Sequence, residues 1–178
     1  MLYFICQGVK PLPKMYYVHM TILSIDPGYE RVGISILEKT NNKEKLIYSD
    51  CFKTSAELPF LERLKKISDE VERIIKKYKP GVLAIEKLFF NTNQKTATRV
   101  SEVRGALLYI AKVNKMDVYE YTPLQIKVAT TGNGHGDKKQ VIAMVKNLIP
   151  IDKEIEHDDE FDAIAVGLTC IASERNLI

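Results

Sequence analysis

Residues 22–37 read ILSIDPGYERVGISIL, two short apolar runs on either side of an Asp-Pro-Gly turn at residues 26–28. A third such run, at residues 46–52, follows a second turn signal at Asn41-Asn42. Short apolar runs bounded by turn residues are typical of strands joined by hairpins. The sequence therefore predicts that the chain begins its fold with three antiparallel strands.

Helices and further strands alternate after this opening. Apolar residues recur at helical spacing over residues 60–78, and Pro80-Gly81 ends that pattern. Residues 82–86, VLAIE, form the short continuous apolar run of a buried strand, and entry from a helix predicts that it runs parallel to the first. A strand is predicted over residues 117–121. Four further helices are predicted: over residues 93–113, in a short stretch after Pro123, around residues 141–148 and over residues 159–172. The pattern predicts an α/β fold, a five-stranded mixed sheet flanked by helices on both faces.

Composition limits the possible classes of protein. The chain has 178 residues and a net charge of +3, which fits one folded domain at residues 20–178 and excludes disorder caused by excess charge. Residues 1–19 have no core pattern or secretory signal, so we expect an irregular extension there. Three cysteines without a C-x-x-C pair indicate no disulfide framework or zinc knuckle, and predict a cytoplasmic location. The longest uninterrupted run of apolar or weakly polar residues, 163–172, is too short to span a bilayer.

Two acidic residues stand at the ends of predicted strands. Asp26 ends the first strand, and Glu86 ends the strand at residues 82–86. If these strands are adjacent and parallel, both carboxylates emerge at the same edge of the sheet, where α/β folds place their sites. Each residue has a simpler interpretation, since Asp26 is also an ordinary turn residue and Glu86 could simply meet solvent.

A third group of acids opens the last predicted helix. Asp158 and Asp159 lie four and three positions before Asp162, so either pair shares one helix face. Asp159 as an N-cap and Asp162 as a first-turn anion would be the structural alternative. However, residues 150–162 contain seven acids and one lysine, a crowding that is costly unless a cation neutralises it. Carboxylates from three chain segments are hard oxygen ligands, suited to Mg²⁺ or Mn²⁺ rather than zinc.

Two basic stretches flank these acids in sequence. Residues 87–104 and 127–146 carry eight lysines and arginines: Lys87, Lys95, Arg99, Arg104, Lys127, Lys138, Lys139 and Lys146. Carboxylates surrounded by cationic helices suit cleavage of a polyanionic backbone, because lysines hold phosphates while metals act on the scissile one. Taken singly, each stretch is also compatible with a solvated helix face.

An ordered series of motifs resembles the RuvC-type Holliday junction resolvases, members of the ribonuclease H-like nuclease group. The motifs are ILSIDPG (22–28), LAIEKLFF (83–90), SEVRG (101–105), YTPLQIK (121–127), TGNGHGDKKQV (131–141) and DDEFDAIAVG (158–167). The resemblance implies a ribonuclease H-like fold. It also implies that the catalytic metals, two Mg²⁺ ions per site with Mn²⁺ as a substitute, bind to Asp26, Glu86, Asp159 and Asp162. Whether His157 or Asp158 joins them stays open, since some relatives carry His in place of the first acid of the last pair.

The same resemblance implies roles in substrate binding. Phe89 matches an aromatic residue that wedges at the junction centre, although a strand-end core position is an equally good interpretation of its residue type. Lys127 and Lys138 match basic residues near the scissile phosphate. Arg104 and Lys139, on the same basic stretches, are further candidates for substrate binding.

Together these features predict a structure-selective, Mg²⁺-dependent endonuclease that makes paired nicks in a four-way DNA junction during recombination and repair. The resemblance implies a homodimer with the helix at residues 93–113 in its interface, 5′-phosphate and 3′-hydroxyl products, and cooperation with the RuvA–RuvB branch-migration complex. An actin-like ATPase would need about twice this length. A non-catalytic junction-binding protein would not need all four acids. A related nuclease acting on RNA or another branched nucleic acid is the alternative that stays open.

Overall fold

A computed structural model describes residues 19–40, 43–88 and 94–174. The elements are β1 (Met20–Asp26), β2 (Arg31–Lys39), β3 (Glu44–Lys53), α1 (Phe60–Tyr78), β4 (Val82–Glu86), α2 (Gln94–Val113), β5 (Asp117–Tyr121), α3 (Pro123–Thr131), α4 (Lys138–Leu148) and α5 (Asp158–Ser173). Every predicted strand and helix is present. Phe89 and residues 1–18 lie outside the described residues, so the structure does not test the predictions made for them.

The five strands form one mixed sheet in the order β3-β2-β1-β4-β5. β1 pairs antiparallel with β2, and β2 pairs antiparallel with β3. β4 runs parallel to β1, with Ile25 opposite Ile85, and β5 runs parallel to β4. The predicted parallel orientation of β1 and β4 is therefore confirmed. The structure also makes them neighbours, so their carboxyl ends meet at one edge of the sheet.

Alternating side chains of the sheet enter two separate cores. Leu23 and Ile25 of β1 pack with α1 and α2 on one face, whereas Ile22 packs with α3, α4 and α5 on the other. Helices on both faces are thus confirmed. Because side chains alternate along a strand, Asp26 falls on the same face as Ile22, and Glu86 falls on the same face as Ala84. Both acids consequently lie on the α5 side of the sheet.

Helix α5 approaches the sheet more closely than an ordinary helix because two glycines remove the intervening side chains. A Cβ atom at Gly33 of β2 would overlap the backbone carbonyl of Asp159, and one at Gly167 would lie 2.6 Å from Ser24 Oγ. Beyond its first turn α5 is buried almost throughout. This packing fixes the first turn of α5 directly above the ends of the central strands.

Among the described residues, none of the helices has the length and apolar content needed to cross a membrane.

Candidate active site

Acids from three elements meet where β1, β4 and α5 converge. Burial, followed by the negative charges of Glu86, Asp162 and Asp159, raises the pKa of Asp26 well above its ordinary value. Burial and the charge of Asp162 likewise raise the pKa of Glu86 to about 7. These mutual effects require the carboxylates to be close together in a poorly solvated place. The structure therefore places near one another the four acids that the family resemblance implies, and their role as metal ligands stays a prediction.

Lys138, the first residue of α4, is the cation nearest to these acids on one side. Its Nζ lies 3.0 Å from Asp162 Oδ2 and 3.4 Å from Asp158 Oδ2. Burial raises the pKa of Asp162, and the opposing effect of Lys138 does not cancel it. Burial alone would lower the pKa of Lys138, but Asp162 and Asp158 outweigh it and the pKa is raised. Lys138 thus partly neutralises the cluster without removing its excess negative charge.

Asp159 is engaged on the other side of the cluster. Its Oδ2 lies 3.2 Å from Arg31 Nε and 3.9 Å from Cys51 Sγ. Sequence reasoning missed both contacts. No sequence signal points to them, because they depend on the packing of Asp159 of α5 against Gly33 of β2, whose neighbour on β3 is Cys51. As the side chains stand, no group of three or more His, Cys, Asp or Glu within the described ranges is already arranged to hold a metal ion.

Two adjoining depressions open onto these acids. A cleft of about 280 Å³ is lined by Glu86, Pro123, Ile126, Lys127, Lys138, Val141 and Asp162. A neighbouring depression of about 220 Å³ is lined by Asp26, Pro27, Glu86, Lys87, Leu88 and Pro123. Glu86 and Pro123 belong to both, so the depressions join at the end of β4. The result is a groove with an acidic floor and lysines on its walls.

A family comparison fits this geometry. The family model described as Crossover junction endodeoxyribonuclease RuvC matches residues 22–170. The chain belongs to the RuvC family. That span includes the ends of β1 and β4 and nearly all of α5, so it covers all four acids.

Individual RuvC proteins are similar to this chain over most of its length. The RuvC of Thermosipho melanesiensis is 46% identical over 155 residues, which cover 87% of this chain and 98% of that protein. The RuvC of Alkaliphilus metalliredigens is 42% identical over 149 residues, covering 84% and 91%. A structure of Thermus thermophilus RuvC in complex with Holliday junction substrate superimposes with a TM-score of 0.82 at 30% identity, covering 88% and 96%. The predicted family and its ribonuclease H-like fold are confirmed.

Local structure explains how this RuvC-family chain places its lysines. Thr122 and Gln125 form a capping box at the start of α3, and Asp137 and Gln140 form one at the start of α4. Between the helices, the glycine-rich loop begins at Gly132, whose φ of 72° closes the C-terminus of α3. These caps fix the start of α4. Its first residue, Lys138, lines the acidic groove and contacts Asp162.

The basic candidates do not all reach the groove. Lys127 and Lys138 line it, whereas Lys139 is exposed on the first turn of α4. Arg104 lies on the opposite face of the sheet, where it pairs with Glu120 and donates from Nε to the backbone oxygen of Glu86 at 3.2 Å. The substrate-binding roles of all four stay predictions. The structure places Arg104 as a support beneath the end of β4.

The last helix begins one residue earlier than predicted. α5 starts at Asp158 with His157 as its N-cap residue, and no side chain caps it, so Asp159 is not the N-cap. His157 Nε2 lies 3.9 Å from Glu156, while Asp158 contacts Lys138. Neither residue's part in metal binding is decided by these contacts.

Proposed function

We propose that this chain is a Mg²⁺-dependent endonuclease that cuts four-way DNA junctions. The observation that carries the proposal is a groove lined by Asp26, Glu86 and Asp162, with Lys127 and Lys138 on its walls and Asp159 close enough to affect Asp26. The names of the curated relatives and the junction bound by the Thermus thermophilus protein support the same substrate.

The chemistry of the acids fits divalent cations. The donors are carboxylate oxygens, the ligands preferred by Mg²⁺ and Mn²⁺. Burial and, after it, repulsion from neighbouring carboxylates raise the pKa values of Asp26 and Glu86, and a bound cation would relieve the repulsion. We assign two ions to Asp26, Glu86, Asp159 and Asp162. When bound, such ions supply an activated water and stabilise the departing oxygen.

The chain's own residues orient the substrate. Lys127 and Lys138 line the groove within reach of the acids, where their amines hold backbone phosphates against the negative charge of the carboxylates. In the absence of substrate, Lys138 contacts Asp162. When nucleic acid binds in the groove, the amine of Lys138 contacts a backbone phosphate instead. Arg104 steadies the end of β4 through its bond to the backbone oxygen of Glu86, which keeps that carboxylate in place.

Paired nicks require two copies of the site. On α2, Tyr109 and Val113 lie four residues apart on one face and are 71% and 60% exposed. Large apolar side chains held in water on one helix face favour burial against a second copy. We therefore place the interface of a twofold homodimer on α2, which would present two sites to a junction of matching symmetry. Ligatable 5′-phosphate and 3′-hydroxyl ends, and cooperation with a RuvA–RuvB complex, are parts of the same proposal.

The proposal is tested by offering the protein matched synthetic four-way junction, duplex, flap and RNA substrates, with Mg²⁺ or with EDTA. We expect symmetric nicks in the junction, much slower cutting of duplex and flap, and no cutting in EDTA. Preference for RNA would establish the alternative nuclease activity instead. Full activity in EDTA would show that the assigned metals are not required.

A further inference from the structure

Arg31 lies outside the sequence motifs that carry the family resemblance, yet it contacts the acidic cluster. It is the first residue of β2, and its Nε lies 3.2 Å from Asp159 Oδ2. Its side chain is 54% exposed, whereas the Asp159 side chain is 21% exposed. One end of the pair therefore faces solvent while the other faces the site.

We propose that Arg31 is an internal counter-ion of the site, one that releases Asp159 to a divalent cation and then contacts a phosphate of the bound nucleic acid. The inference rests on the proposed metal-dependent junction cleavage. It adds a phosphate-binding residue and a physical link between metal binding and substrate binding.

The backbone at Arg31 is held firmly. Thr54 donates from its backbone N–H to Glu30 O at 2.9 Å and from its hydroxyl to Tyr29 O at 2.6 Å. The buried Arg63 in turn donates from Nε to Thr54 Oγ1 at 2.9 Å. Only the side chain of Arg31 is therefore free to swing.

Asp159 is held just as firmly. Its backbone carbonyl rests against Gly33, at a distance that leaves no room for a Cβ atom. The backbone of Asp159 therefore cannot withdraw from the site, and its short, largely buried side chain keeps the carboxylate near it. The longer and more exposed side chain of Arg31 is the partner with more room to move.

The two cations cannot share Asp159 without repelling each other. A divalent ion bound to the carboxylate would stand close to the guanidinium, and an ion pair this exposed is weak enough to open easily. The guanidinium has a planar fork that suits phosphate, and Lys53, its exposed neighbour across β3, adds positive charge at the same rim. Metal and nucleic acid should therefore strengthen each other's binding, and this coupling is reciprocal.

The test uses three variants of the whole chain. Arg31→Gln removes the counter-ion, and Arg31→Lys keeps its charge. Arg73→Gln is the matched control, because Arg73 pairs with Glu70 within α1 and the same charge is lost there. Affinity for Mn²⁺ alone is measured by electron paramagnetic resonance without DNA. Affinity for a synthetic four-way junction is measured in Ca²⁺ over a range of salt concentrations.

We expect Arg31→Gln to bind Mn²⁺ about three- to tenfold more tightly than the wild type, the scale for removing one charge a few ångströms from the ion in a largely aqueous site. Its junction affinity should fall less steeply with salt, with a log–log slope smaller by about one. Arg31→Lys and Arg73→Gln should stay close to the wild type in Mn²⁺ affinity, and Arg31→Lys should also keep the wild-type salt slope.

Equal Mn²⁺ affinity in Arg31→Gln and Arg73→Gln, or an unchanged salt slope in Arg31→Gln, would overturn the inference. If the wild type cuts junctions with Mg²⁺ under those results, the proposed function stands and only the role of Arg31 is lost. A wild type that binds neither Mn²⁺ nor the junction would overturn both.

Discussion

The N-terminal part of α5 carries acids in two contrasting environments. Glu160 is 5% exposed and pairs with Lys153, whose Nζ also donates to Ser49 O of β3 at 2.6 Å. Asp162 faces the groove among other acids, where burial raises its pKa despite a contact with Lys138. Lys153 of the acidic loop thus links Glu160 of α5 to the sheet, whereas the negative charge of Asp162 is only partly compensated.

This contrast changes the meaning of the acidic crowding at residues 150–162. The only lysine of that stretch neutralises Glu160, and the remaining acids divide between solvent and the site. Not every carboxylate in an acidic stretch of sequence can therefore bind a metal. A cation would relieve repulsion only among the acids on the side of α5 that faces Asp26 and Glu86.

The largest effect should come from Asp162→Asn, compared with Glu160→Gln two residues earlier in the same helix. If Asp162 holds a metal, its loss should slow junction cleavage on the order of a thousandfold or more. Junction affinity should persist or rise, because one negative charge near the phosphates is removed. Glu160→Gln should retain wild-type cleavage per folded molecule. Equal losses of binding and cleavage in Asp162→Asn would instead assign this residue to the fold.

Gly33→Ala should disturb both environments at once. The added Cβ would overlap the carbonyl of Asp159, and backbone cannot yield as a flexible side chain can. Overpacking of this kind costs about 1–3 kcal/mol of unfolding free energy, and sometimes more. Chemical denaturation should show that loss, and the folded fraction should also cut more slowly. Wild-type stability of Gly33→Ala would contradict the close contact between Gly33 and the carbonyl of Asp159.

Glu160→Gln should lower stability without touching the chemistry. It leaves Lys153 without its carboxylate partner, although the half-exposed amine can still reach water and Ser49 O. We expect a loss of about 1–2 kcal/mol in unfolding free energy. Lys153→Met in the same background should add little, because the two residues act as one pair. Additive losses would contradict that pairing.

The smallest effect concerns pH in the metal-free protein. The pKa of Glu86 is raised by burial and by Asp162 from 4.5 to about 7, so folding favours its protonated form. Its contribution to stability is complete below about pH 4.5 and is lost as the pH rises through about 7. Between pH 5 and 8 in EDTA, the wild-type Tm should fall about 2–4 °C more than that of Glu86→Gln. Mg²⁺ should reduce this difference in Tm between the wild type and Glu86→Gln. Identical Tm–pH profiles of the two proteins would contradict a raised pKa of Glu86.

Much of the fold could be read from local patterns. The turn at residues 26–28, the helical spacing of residues 60–78 and the apolar run at residues 82–86 each act within one element, and the structure contains all three. The parallel orientation of the strands that end at Asp26 and Glu86 followed from the order of elements, whereas their adjacency came from the strand order of the sheet. The start of α5 was misplaced by one residue because Asp158 and Asp159 are both good helix-start residues, and the packing of Asp159 on Gly33 settles the register.

The sequence by itself determined the alternation of strands and helices and the three segments that supply the acids, because periodicity and turn chemistry depend on neighbours along the chain. Only the tertiary structure decided which charges meet: Arg31 with Asp159, Lys138 with Asp162, and Lys153 with Glu160. It also placed Arg104 beneath the sheet rather than in the groove. Such contacts depend on how α5 lies across the sheet, and electrostatic interactions between residues far apart in sequence have no periodic signature.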